Sequence, residues 1–192
     1  MILRILALSA LTALPVAALP VASMAQQAAI QPQTVISAVT GDWNNDGGMD
    51  RAVLVDNGDD GADLLIYLSD GDNNMKLASS AKSFVWNGAV WGTLPQLQLS
   101  SSGGLQVHAE NTGSGRDHWD QVYNLSLRDG KMVVAGLTET TNDTLDPNGS
   151  HKCDINFLSG KGTSDGKAVS LSGPAPDVAS WTQDSVPDAC QF

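Results

Sequence analysis

Residues 41–50 read Gly41-Asp42-Trp43-Asn44-Asn45-Asp46-Gly47-Gly48-Met49-Asp50, a spacing suited to holding a hard cation. Asp42, Asn44 and Asp46 alternate, so their oxygens can converge on one concavity. Calcium takes six to eight oxygen ligands in a flexible geometry, and a short turn gathers them with little chain. Gly47 can take the positive φ that a sharp reversal needs. Gly48 offers a carbonyl, and Asp50 closes the far side with one or both carboxylate oxygens. Against a divalent ion, three carboxylates and one amide leave the site about one charge negative.

The surroundings decide which kind of loop this is. An EF-hand requires a bidentate Glu at the twelfth position and helices on both sides. Here that position is Val53, inside the β-branched run Arg51-Ala52-Val53-Leu54-Val55, which reads as a strand. A dockerin-type loop also wants an acid there and a helix after it. The competing reading is an Asp/Asn/Gly turn that binds nothing, since those residues favour turns by themselves. Turn chemistry does not require the period-two spacing of oxygens, so we expect a calcium loop between two strands, serving as a structural clamp.

The segment GDWNNDGGMDRAVLV resembles the calcium-binding loop of FG-GAP or VCBS-type repeats, which integrin α-subunits carry in β-propeller blades. That resemblance implies Asp42, Asn44, Asp46, Gly48 and Asp50 as the ligand positions. The chain lacks a Phe-Gly before the loop and a Gly-Ala-Pro after it, and it carries one well-formed copy. A propeller needs several blades, so a full propeller is not expected. As a whole, the chain resembles small secreted bacterial proteins with one such loop ahead of a β meander, and the stretch from Asn156 to Lys161 fits that group.

Other chemistry is weakly represented. Nucleophilic catalysis needs Ser, Cys or Thr beside a base held by a third group. Ser114, His118 and Asp120 can be named as such a set, but three residue types in one loop do not make a triad. A zinc site wants His or Cys at ligand spacing, whereas His108, His118 and His151 are scattered and Cys153 is expected to be oxidised. Glycoside hydrolysis needs two carboxylates flanking a sugar subsite, and only Glu110 and Glu139 supply the longer acid. Trp86 and Trp91 form either a ligand platform or core filling. The first reading is therefore a non-enzymatic β module. An extracellular interaction module, an adhesin or inhibitor using exposed aromatics, is second, and a hydrolase is third.

The elements that would position the loop follow from charge, cysteines and patterning. Residues 1–25 combine Arg4, an apolar run and Ser23-Met24-Ala25, the pattern of a secretory signal peptide cleaved after Ala25. Residues 26–33 then form a flexible leader, and residues 34–192 one β domain in a secreted or periplasmic protein. Of the 19 Asp residues, nine fall between Asp42 and Asp72, with Arg51 the only basic residue among them. The formal charge of −11 repels nucleic acid and anionic membranes. Cys153 and Cys190, an even count in an exported chain, are expected to form a disulfide. Such a bridge would pin the C-terminal tail and contribute about 4 kcal/mol in the chain-entropy model.

Strands are expected over residues 34–40 and 51–56, either side of the loop, and over 62–69, where apolar side chains on both faces mark a central strand. Residues 57–61 form a turn; a second, irregular cation loop over Asn57 to Asp63 is the alternative. A further strand begins near Met75. Leu105 to Thr140 reads as a three-stranded antiparallel meander whose second turn carries the Asp129-Gly130 hairpin signature. One more strand is placed at residues 154–158, and a short helix near Asp177. The fold class is mostly β.

Overall fold

The computed structural model of the protein describes residues 29–72, 74–113, 115–146 and 148–192. The signal peptide expected over residues 1–25 lies outside them. The chain is mostly β, in two open antiparallel sheets with neither a closed barrel nor a propeller. The first sheet is a meander of β1 (Val35–Gly41), β2 (Asp50–Asp56), β3 (Gly61–Ser69) and β4 (Met75–Trp86), in that order. The second has seven strands: β5 (Gln96–Leu99), β6 (Leu105–Asn111), β7 (Asp117–Arg128), β8 (Lys131–Asp143), β9 (Ser150–Asn156), β10 (Lys161–Ser164) and β11 (Lys167–Ser170), again in sequence order. Among the described residues no helix is long and apolar enough to cross a membrane.

Pairing only neighbours in sequence follows from the turns. Asp129 and Gly130 sit at φ 49° and 76°, the left-handed pair that matches a tight two-residue reversal to strand twist. β3 lies inside its sheet and buries Ala62, Leu64 and Ile66 completely. The Phe84 to Trp86 stretch completes β4, which is longer than its N-terminal half suggests. Opposite Asp63 the register slips, from Ala62↔Val85 to Leu64↔Ala81. This bulge turns Lys82 and Ser83 toward Asp63, with Ser83 at φ 45°.

One buried cluster joins the two sheets. Its centre is aromatic: Phe84 of β4 meets Tyr123 of β7 edge-on at 5.4 Å, and Trp181 packs against Phe84, Tyr123 and Phe157 at 6.3, 5.6 and 5.6 Å. Trp181 belongs to the tail, where Asp177 caps a short 3-10 turn, Val178–Ser180, through Ala179 N. The Cys153–Cys190 disulfide ties the same tail to β9 across a separation of 37 residues. The tail is thus part of the core.

Candidate functional site

The Asp42–Asp50 loop joins β1 to β2, paired up to Gly41↔Asp50. A strand, not a helix, follows it. Asn45 and Gly47 take φ values of 59° and 86°, which lets the chain reverse and aim successive N–H groups inward. Asp42 accepts Asp46 N at 3.2 Å on Oδ1 and Gly47 N at 3.1 Å on Oδ2. Asn44 Oδ1 accepts Asp46 N at 3.1 Å, and Asp46 Oδ1 accepts Gly48 N at 2.7 Å. The side chains at the first, third and fifth positions therefore curl over the loop's own backbone.

Asp50 is the anchor, and it is fully buried. Its Oδ2 accepts Trp43 N at 2.6 Å and Asn44 N at 3.3 Å, and its Oδ1 accepts Ser69 N at 2.8 Å. Asn44 Nδ2 donates to Asp46 Oδ2 at 2.8 Å and to the Ser69 carbonyl at 3.0 Å. The loop thereby grips the end of β3 as well as joining β1 to β2. Gly48 is sterically required: a Cβ there would lie 2.3 Å from Ser69 Oγ and 2.9 Å from Asp46 Oδ1.

Among the described residues two ion pairs form, Lys82–Asp63 and Arg116–Asp143, and two histidine–carboxylate contacts, His108–Asp120 and His151–Asp165. None includes Asp42, Asp46 or Asp50. The donor set is all oxygen and hard, which suits calcium or magnesium rather than a soft transition metal. Asp42, Asn44, Asp46 and Asp50 put hard oxygen donors on one short turn, but among the described residues the three acidic or histidine ligand atoms that lie within 4.8 Å of one another are those of His108, Glu110 and Asp120.

The neighbouring Asn57–Asp63 stretch is built differently. Asp56 and Asn57 side chains accept Gly58 N and Asp59 N at 2.9 and 3.0 Å, ordinary turn contacts. Asp63 accepts Asn57 Nδ2 and Ser83 N on Oδ1, and Lys82 on Oδ2. Its cation comes from the chain.

The second sheet holds two further groups of polar side chains. On β6 and β7, His108, Glu110 and Asp120 each place one ligand atom within 4.8 Å of the others. His108 Nε2 and Asp120 Oδ2 are 2.6 Å apart, so the histidine held by Asp120 is His108 rather than His118. Glu110 and Asp120 are direct cross-strand partners, a like-charge pairing that is unfavourable by itself. Ser114, the third member of the set named from sequence, lies outside the described residues.

The other group lines a cleft of about 680 Å³ between β7, β8 and the tail. Glu139 and Gln121, cross-strand partners, sit on its floor. Gln121 Nε2 donates to Glu139 Oε1 at 3.1 Å, and Tyr123 OH donates to Gln121 Oε1 at 2.8 Å. Glu139 is buried and its Oε2 has no hydrogen-bond partner. Burial pushes its carboxyl above the ordinary value, with the Gln121 hydrogen bond pulling the other way. Burial, and then the charge of Glu139, raise the Tyr123 phenol too. At the rim, Arg116 grips Asp143 through Nε at 2.7 Å and through Nη2, lowering its carboxyl to about 2. Sequence reasoning named Glu139 only as one of two glutamates. The available signal was an acid two residues after the core residue Leu137, on the inward face of β8.

No family model matches the chain, and neither the curated proteins nor the solved structures contain a match to it.

Proposed function

We propose that the chain is an exported, non-enzymatic β module whose first hairpin is clamped by one structural calcium ion. Asp42, Asn44, Asp46, the Gly48 carbonyl and Asp50 would hold it. The observation that carries this reading is Asp50: a fully buried carboxylate with three N–H contacts and no basic partner. A bound divalent ion would offset the like charges of Asp42 and Asp46 beside it and fix the ends of β1, β2 and β3. The disulfide is in keeping with export to an oxidising compartment.

A ligand that binds only the folded state stabilises it by mass action, by about 2.7 kcal/mol at one hundred times its Kd. Thermal unfolding in calcium and in chelator tests the proposal. The midpoint rises with calcium and falls with chelator, and Asp46→Ala flattens the response. A full response in Asp46→Ala removes the assignment.

One observation favours the interaction-module reading as a second role. Val90, Trp91 and Leu94 are 84%, 55% and 48% exposed, a run of apolar side chains at one edge. Gly113 lies against this run, since a Cβ on it would sit 2.7 Å from the Trp91 carbonyl oxygen. The loop after β6 and the Trp91 turn thus form one surface. Its partner would be a protein; substituting Trp91 by Ser while retaining the fold would abolish capture of that partner.

A further inference from the structure

We propose that His108, Glu110 and Asp120, on the outer face of the second sheet, form a binding site for zinc. Strand alternation builds it. Leu105, Val107 and Ala109 of β6 are buried in the core, so His108 and Glu110 share the opposite, solvent-facing side. Register supplies the third residue: Asp120 of β7 stands directly across from Glu110 and diagonally from His108, whose own partner is Val122. One ligand atom from each residue lies within 4.8 Å of the other two. Ligands of a tetrahedral zinc ion sit roughly 3.3–3.6 Å apart, so side-chain rotation closes the set without moving a strand. The side chains of His108 and Asp120 are 27% and 46% exposed, so an ion reaches them directly from solvent.

Charge and donor type select the ion. Two carboxylates directly opposed across a strand pair repel each other, and among the described residues no Lys or Arg pairs with either. The flanking strands add no charge beside them: Gln96 of β5 stands opposite His108, and Thr140 of β8 opposite Asp120. A divalent ion between Glu110 and Asp120 balances both. The imidazole decides which one. Calcium and magnesium want six or more oxygen ligands, whereas zinc accepts a nitrogen and two carboxylate oxygens, with water in the position left open. Both cysteines are held in the disulfide, so no thiolate competes for the ion. The site lies in the other sheet from the all-oxygen Asp42–Asp50 loop and does not depend on what that loop binds.

Competition between the disulfide-bonded protein and a chromophoric zinc chelator, in excess calcium and magnesium, tests this. Saturable binding of one zinc per chain is expected, undisturbed by the other two ions. His108→Ala and Glu110→Gln should each weaken it by about tenfold or more, since losing even an outer partner of a metal ligand costs about 10–100-fold. Glu110→Gln also removes the like-charge pairing, so it should keep the fold and serves if His108→Ala does not. Two controls should leave zinc affinity unchanged. Asp46→Ala alters the β1–β2 loop, and its result is the same whether or not that loop takes calcium. His151→Ala removes the other histidine–carboxylate contact. Absence of saturable zinc binding overturns the proposal, as does displacement of zinc by calcium or magnesium. So does an affinity unmoved by the folded variants, or one that either control reduces as much.

Discussion

Asp50 and Asp63 are the two carboxylates buried in the first sheet, yet the chain neutralises them by different means. Asp63 draws Lys82 across a bulge in β4 and adds Asn57 Nδ2 and Ser83 N. Asp50 receives only backbone N–H groups, from Trp43, Asn44 and Ser69. Where the sequence supplies an internal cation, the adjoining loop keeps ordinary turn contacts. Where it supplies none, oxygen side chains accumulate. The contrast lies in the partner each buried acid finds: a lysine for Asp63, and backbone N–H groups alone for Asp50.

The largest effect is expected at Asp50. Asp50→Ala orphans three N–H groups, one of them buried at the end of β3, and should cost about 3 kcal/mol or more in urea unfolding. Asp50→Asn keeps an acceptor, so it should cost less while also abolishing the calcium response. Lys82→Met sharpens the comparison from the other side. Lys82 is 83% exposed, so its loss should cost only about 1 kcal/mol, and the calcium-dependent midpoint shift should persist intact. Loss of that shift in Lys82→Met would mean that the two loops are not independent.

Two further carboxyls extend the test to pH. Glu139 is a buried acid with no internal cation, like Asp50, but its carboxyl is raised by burial. The stability it contributes is present below its ordinary value of 4.5 and is lost as pH rises through its raised one. Glu139→Gln should therefore be more stable than the parent at neutral pH, and the difference should shrink in acid. Asp143 behaves oppositely, because Arg116 lowers it to about 2. Its contribution is present above 3.8 and is lost as pH falls toward about 2. Arg116→Ala should flatten the acid limb between those values, the smallest change expected, since the pair is solvent-exposed at the arginine.

Legibility in the sequence followed local chemistry. Two Asp-Gly turns make the point. Asp129-Gly130 and Asp165-Gly166 adopt nearly the same φ pairs, 49° and 76° against 48° and 75°. The first was readable because Leu125, Leu127, Met132 and Val134 alternate around it. The second joins β10 and β11, whose sides are exposed or half-buried, so the flanking Lys-Gly-Thr-Ser and Lys-Ala-Val-Ser carry no period-two apolar signal. The strand expected at 154–158 begins earlier, at Ser150, because pairing with β8 extends to Asn142↔Ser150. The loop spacing around Asp42 was readable in full. The neighbour that completes it, Ser69, was not, since β3 arrives from 25 residues away in the Asn44 contact. Glu139 needed a third element, the tail, before it became part of a cleft.

Trp181 has a consequence for biosynthesis. Its ring fills the space between Phe84, Tyr123 and Phe157, so a chain growing from its N-terminus lacks its central plug until Trp181 itself has been added, after β1 to β11. Until then the rings of Phe84 on β4, Tyr123 on β7 and Phe157 just after β9 stand uncovered, the kind of sticky surface on which incomplete chains cluster. Truncation before Trp181 should yield a product that aggregates, even with every strand present.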